Sequence, residues 1–256
     1  MLTNDDGIQS PGLHALARAM LKLGDLLIVA PREQQTSMGR AFAGTGRVRQ
    51  VEFRVDGKRL RAFAVAATPA IAVRNAILLY ADRTPALLVS GINYGENVAN
   101  GITISGTVCA AIEGATLGIP SLAVSQATPI NYHRSYSDSI DFACAAHFAQ
   151  LFARRILNHG IPHGADIVNL NVPEGANRKT PWRWTHLSRN NYFRSKVKKG
   201  KRGKFLRGYE VNISDQLPEQ DSDIRAVIVD RVISLTPLTF DLTARVSAAE
   251  LTRWGK

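Results

Sequence analysis

Sulfur is scarce in this chain of 256 residues, which has two cysteines, Cys109 and Cys144. Both lie in helix-like patterns without metal-site spacing, so they read as small buried thiols in a reducing compartment rather than a disulfide or a zinc site. No apolar run approaches the length of a membrane span, and no signal peptide is recognisable. A cytoplasmic protein with no membrane partner is expected. Histidine is thinly spread: His14, His133, His147, His159, His163 and His186 stand apart and outside the motif loops. That argues against a histidine-based phosphoenzyme. His14 and His147 read as helix-face residues, the others as loop or surface groups. Neither a Walker run nor Gly-x-Gly-x-x-Gly occurs, so the usual mononucleotide and dinucleotide grips are missing. Internal repeats and low-complexity tracts are missing as well.

Acid is also absent from one long segment. Between Glu174 and Glu210 stand twelve Lys or Arg and no Asp or Glu. Taking these twelve from the net charge of +11 leaves −1 for the rest of the chain. The basicity belongs to one segment.

Short apolar runs alternate with helical patterns. Leu26–Val29, Ala86–Val89, Leu122–Val124 and Ile167–Leu170 read as buried strands. Helices are expected from Pro11 to Leu23, with Ser10 as N-cap and Pro11 at the first position, and from Pro69 to Ala81 after a Thr68 cap. Two more are expected from Val108 to Leu117 and from Ser139 to Leu157, stopping at Gly118 and Gly160. Phe148, Leu151, Phe152 and Ile156 recur at helical spacing and read as core. Strands separated by helices imply an α/β fold with a parallel, doubly wound sheet. Val48 to Val65 alternates around Asp56-Gly57, a hairpin signal. From about 183 to 240 the helical period is lost, and Arg225 to Leu235 carries a strand pattern. The chain is therefore expected to divide into an α/β body over 1–180 and a β-rich C-terminal extension over 181–256, part of which returns to the body.

Chemistry concentrates at the ends of the strands, where open α/β sheets bind ligands. Asp5 and Asp6 follow the first strand. Adjacent carboxylates repel unless exposed or bridged by a proton or cation. Ser37 lies in Ala30-Pro31-Arg32-Glu33-Gln34-Gln35-Thr36-Ser37, just past the second strand. Asn93 follows Val89-Ser90-Gly91-Ile92, either reaching a ligand or tying its own turn. All four offer oxygen, a set that selects Mg²⁺ or Mn²⁺ over zinc. Ser105-Gly106-Thr107 enters a helix, where exposed N–H groups could meet a phosphate or where Ser105 is simply a cap.

Thr3-Asn4-Asp5-Asp6-Gly7, Ala30-Pro31 with Ser37, Ser90-Gly91-Ile92-Asn93-x-Gly-x-Asn97 and Ser105-Gly106-Thr107-Val108 stand in the order and spacing of the SurE family. Val168–Pro173 and Ser234–Leu238 are similar to further motifs of that family, and the resemblance spans nearly the whole chain. It implies a Rossmann-like body and a metal-dependent phosphatase acting on nucleoside 5′- and 3′-monophosphates, with short polyphosphate as a further substrate. One divalent cation per subunit, Mg²⁺ or Mn²⁺, would be held by Asp5, Asp6, Ser37 and Asn93. The C-terminal extension would exchange between subunits of a homodimer or homotetramer. Metal-assisted hydrolysis follows. Asp5 and Asp6 are the catalytic acids, Asp6 being the first candidate to accept the proton of the attacking water. Asn97, Ser105, Gly106 and Thr107 hold the substrate phosphate.

A different class of function competes with this. Trp182, Trp184, Tyr192 and Phe193 are interleaved with basic residues in the segment 182–207, as a nucleic-acid-binding surface requires. The plainer alternative is a solvated basic loop that aids solubility or gathers anionic nucleotides.

Overall fold

In chain order the strands are β1 (Leu2–Thr3), β2 (Leu27–Pro31), β3 (Gly44–Val51), β4 (Arg54–Val55), β5 (Lys58–Arg59), β6 (Arg61–Ala67) and β7 (Leu88–Tyr94). They continue with β8 (Ser121–Gln126), β9 (Ile167–Val172), β10 (Trp182–Trp184), β11 (Phe193–Gly200), β12 (Gly203–Val211) and β13 (Ile233–Leu238). The α-helices are α1 (Pro11–Met20), α2 (Pro69–Asn75), α3 (Gly106–Thr116), α4 (Ala143–His159) and α5 (Ala248–Trp254). This computed structural model describes residues 1–200, 203–212 and 218–255.

The apolar runs form the middle of a nine-stranded sheet in the order β10-β13-β9-β8-β7-β1-β2-β6-β3. The six strands from β9 to β6 are mutually parallel. Their consecutive residues alternate between two cores because a strand turns successive side chains to opposite faces. Ile28, Val89, Leu122 and Val168 pack on one face with α1 and α4, while Val29, Leu88, Ala123 and Ile167 pack on the other with α2 and α3. A strand buried on both faces is apolar along most of its length, hence the near-continuous apolar runs. The result is the expected α/β, doubly wound, mostly parallel sheet. Phe148, Phe152 and Ile156 of α4 are buried in the first core, with Leu151 packed against it.

The hairpin signal is realised at its turn. Asp56 and Gly57 both take positive φ (48° and 78°) between β4 and β5, the geometry of a type I′ turn. Beyond that turn, β3 runs antiparallel to β6 at the sheet edge. Helix ends deviate more. Helix α1 stops at Met20, short of Leu23, and α4 begins at Ala143 rather than Ser139. After Asn75, α2 continues as one wider turn over Ala76–Tyr80.

One stretch departs from expectation. Arg225–Val229 is a helical turn, not a strand. Ile224, Ala226 and Val227 are buried, Ala226 N–H donates to Ser222 O, and the Ser222 hydroxyl accepts from Arg225 N–H at 3.2 Å. The local capping outweighs the β-branched composition. The strand begins only at Ile233, after Arg231 takes φ 55°. β13 then pairs antiparallel with β9 and parallel with β10, so both strands lengthen the main sheet. β11 and β12 form a separate two-stranded hairpin.

Candidate active site

The N-terminal run folds into a tight turn because Asn4 clips it. Asn4 Nδ2 donates to Gly7 O (3.0 Å), and Asn4 Oδ1 accepts from Gly7 N–H (3.1 Å). Helix α1 starts immediately afterwards and is pressed onto β7. A side chain at Gly12 would lie 2.1 Å from Ile92 O. This packing shuts Asp5 and Asp6 away from solvent, at 4% and 1% exposure.

Among the described residues the hydrogen-bond partners of the two acids are neutral. Thr107 Oγ1 donates to Asp5 Oδ1, Gln34 Nε2 donates to Asp6 Oδ1 (2.9 Å), and Tyr94 N–H donates to Asp6 Oδ2 (3.4 Å). No Lys or Arg forms an ion pair with either acid among the described residues. Burial pushes Asp5 up to about 6 against the hydrogen bond from Thr107. Burial and then the Asp5 charge raise Asp6 well above the ordinary carboxylate range. Two buried carboxylates without a cationic partner call for a proton or a metal ion between them. Among the described residues no cluster of three His, Cys, Asp or Glu exists to offer another kind of metal site. The donor chemistry at the pair is oxygen, and it fits a hard divalent cation.

The other candidate residues arrive on three loops at the same carboxyl edge of the sheet. The loop after β2 is fastened to the end of β1 by Gln35 N–H donating to Asp5 O (2.7 Å). Two residues on, Ser37 is exposed, with φ 63° and no hydrogen bond to either acid. The loop returns through Gly39 N–H to Ile104 O (2.9 Å), and Arg40 pairs with Glu113 at 2.6 Å. Glu113 is fully buried in α3 and also faces Arg74 of α2 at 2.5 Å. At the end of β7, Asn93 gives its Nδ2 to Tyr94 O (3.1 Å) and Gly95 O (2.7 Å). This ties the turn and leaves Oδ1 without a hydrogen bond among the described residues. Asn97 is anchored by its neighbours: its Nδ2 donates to Ser125 Oγ (2.8 Å), its N–H to Asn171 Oδ1 (2.8 Å), and its carbonyl accepts from Asn169 and Asn171.

Helix α3 begins against Asp5. Ser105 is its N-cap, its hydroxyl accepting from Val108 N–H at 3.1 Å. At Gly106 an added Cβ would come within 2.6 Å of Asp5 Cβ, so only glycine lets this helix N-terminus lie beside the carboxylate. The Thr107 hydroxyl is engaged by Asp5. Asp5, Gly106 and Thr107 are thus in contact, and Asp6 touches the backbone next to Asn93. Ser37 and Asn97 stand on the adjoining loops.

Three supporting groups escape a reading of the sequence. Gln34 sits inside the Ala30–Ser37 run, yet an amide in a polar loop carries no signal of its own. Glu113 looks like a solvent-facing helix residue until the fold buries it between two arginines. His133, expected as a loop or surface group, lies in a loop yet is 6% exposed because it fills the space beside Gly95, where a Cβ would meet its ring at 2.5 Å. Its Nδ1 meets Tyr209 Oη (2.8 Å), its Nε2 meets Thr128 O (3.0 Å), and its carbonyl accepts from Gln34 Nε2 (3.1 Å). Tyr209 belongs to β12, so this contact joins the C-terminal hairpin to the acid pair through His133 and Gln34.

A doubly wound α/β sheet with a buried acid pair and a glycine-opened helix N-terminus at its carboxyl edge defines a class of phosphate-handling α/β proteins. Comparison with known proteins narrows that class. The profile of the family described as survival protein SurE matches residues 1–194. A protein of Thermococcus gammatolerans named 5′-nucleotidase SurE is 38% identical over 255 residues, covering 98% of this chain and 93% of that protein. Another of the same name from Methanocella arvoryzae is 36% identical, covering 99% and 96%. The crystal structure of the SurE protein from Aquifex aeolicus superposes with a TM-score of 0.78 at 28% identity, covering 100% of this chain and 98% of that one. The chain belongs to the SurE family.

Proposed function

We propose that this chain is a divalent-metal-dependent phosphatase that hydrolyses nucleoside 5′-monophosphates to nucleoside and phosphate. The proposal extends to 3′-monophosphates and short polyphosphate. One observation carries it: of two adjacent buried carboxylates, with no cationic partner among the described residues, Asp5 lies against the N-terminus of α3. A phosphate at that helix terminus would be repelled by Asp5 and Asp6 unless a cation lay between them. The relatives' shared name, 5′-nucleotidase, supports the same substrate class.

Asp5, Asp6, Ser37 and Asn93 would hold one Mg²⁺ or Mn²⁺. Such an ion supplies Lewis-acid polarisation of the phosphoryl oxygens and neutralises their charge. The protein's own groups do the rest. Thr107 fixes the Asp5 carboxylate, while Gln34 and Tyr94 N–H fix Asp6 from two sides. Asp6 is the base that takes the proton of the attacking water at a carboxylate oxygen. The N–H groups of Gly106 and Thr107 and the Ser105 hydroxyl receive the phosphate and its developing charge, helped by the α3 dipole and by Asn97 on the neighbouring loop. A homodimer or homotetramer with an exchanged C-terminal extension and a cytoplasmic location belong to the same reading. Free Cys109 and Cys144 agree with a reducing compartment, and no helix among the described residues is long and apolar enough to cross a membrane.

Asp6→Asn tests the assignment. It keeps the carboxyl shape and is expected to fold while losing more than about a hundredfold in kcat, the size of losing one acid/base or charge-stabilising group. Near-normal turnover in a folded Asp6→Asn protein would sink it.

A further inference from the structure

A phosphate held at the start of α3 leaves the nucleoside of the substrate outside the buried acid pair, on the exposed rim. Met38 after β2, Ile104 before α3 and Tyr136 between β8 and α4 are large exposed side chains on the loops that meet there. Of these three, Tyr136 is the aromatic one, and it is 47% exposed. Its hydroxyl is seated against the turn that carries the acids: a Cβ on Gly7, which takes φ 100°, would come within 3.0 Å of Tyr136 Oη. The loop around it is fastened to Asp6 from both sides. Gln34 Nε2 bridges Asp6 Oδ1 (2.9 Å) and His133 O (3.1 Å). Tyr94 gives its N–H to Asp6 and its hydroxyl to Ser137 O (3.0 Å). Residues 133 and 137 flank Tyr136, so its ring is held in a set place. Other rings of the molecule have neighbours: Tyr94 packs edge-on to Phe142 at 4.8 Å, and exposed Phe42 lies under Arg74 at 4.9 Å. Tyr136 has no aromatic or cation partner of this kind among the described residues.

We propose that Tyr136 is the nucleobase platform of this site, the residue that favours nucleotides over other phosphomonoesters. The inference takes its ligand from the nucleotidase reading. The base stacks on the open face of the ring, whose position is fixed before the substrate arrives, so little ordering cost falls on binding. Every base has a π-face, and one ring therefore accepts purines and pyrimidines alike. A phosphate ester without a base gains nothing from it. If Tyr136 only covered the Gly7 turn, its loss would act on every phosphate ester equally.

The test compares the parent with Tyr136→Ala and Tyr136→Phe by two readouts on the full chain. The first, in Mn²⁺, is kcat/KM for AMP relative to ribose 5-phosphate. Tyr136→Ala should lower that ratio about tenfold, the worth of one base stack, through KM for AMP rather than kcat. Tyr136→Phe keeps the ring and should keep the ratio. The second readout is a saturation-transfer NMR titration with adenosine in EDTA, which needs neither metal nor hydrolysis. The Kd for adenosine should rise about tenfold in Tyr136→Ala and hold in Tyr136→Phe. Circular dichroism checks the fold, and if Tyr136→Ala misfolds, Tyr136→Leu, apolar but without a π-face, should show the same losses. An unchanged ratio of AMP to ribose 5-phosphate overturns the proposal. So does adenosine binding that is absent from the parent or indifferent to loss of the ring. Ring-dependent adenosine binding by a protein that releases no phosphate from either ester would refute the phosphatase reading and uphold the platform.

Discussion

At Gly106 a single hydrogen in place of a methyl group lets the α3 N-terminus approach the Asp5 carboxylate. Gly106→Ala is therefore expected to cost about 1–3 kcal/mol, the usual penalty for forcing a group into a packed site, and to lower activity because Asp5 must shift. Urea denaturation and phosphate release read the two effects. The acids also make a pH prediction for the metal-free protein. Burial raises Asp5 to about 6 from its ordinary value of 3.8, so the folded state holds its proton more tightly than the unfolded chain. Its contribution to stability is present below pH 4 and is lost as pH rises through about 6. In EDTA, the Tm difference between the parent and Asp5→Asn should move against the parent over that window. Saturating Mn²⁺ or Mg²⁺ should reverse the trend, because metal binding to these carboxylates displaces the proton. A Tm difference that is flat in pH would count against the buried pair. Asp5, Asp6, Asn93 and Thr107 stand out in the sequence as candidates because short polar motifs interrupt apolar strands. Gln34, His133 and Glu113 do not, since each owes its role to groups distant in sequence.

Elements were readable where physics is local. Pro11 opens α1, Asp56-Gly57 turns its hairpin, and strands buried on both faces are mostly apolar. The turn at Arg225–Val229 was hidden because β-branched composition points one way and the Ser222 cap points the other. β10 and β13 were also hard to place, since each pairs with a partner remote in sequence. The loop that carries Ser37 is held from α3. Glu113 lies buried between Arg40 and Arg74, both partly exposed. Glu113→Gln is expected to cost about 1–3 kcal/mol, below a fully buried pair because the arginines can reach water. It should also weaken metal affinity by loosening Arg40, three residues after Ser37. Calorimetric titration with Mn²⁺ showing unchanged affinity would detach this ion-pair cluster from the site.

For the whole molecule, the strand order brings β1, β2 and β7 side by side at the centre of the sheet. Their three loops, with the start of α3, therefore meet at one edge although they span more than a hundred residues of sequence. The charge is divided in the same way, a nearly neutral body with a basic segment whose hairpin is tied to the site through Tyr209 and His133. The central claim is metal-dependent hydrolysis of nucleotide monoesters at Asp5 and Asp6. Its most direct test is phosphate release from AMP, GMP and CMP by the purified protein, with EDTA and then with Mn²⁺ or Mg²⁺ restored. The account predicts release that vanishes with chelation, returns with metal, and is missing from Asp5→Ala and Asp6→Ala. Release that persists in EDTA, or none from folded, metal-replete protein, would contradict it.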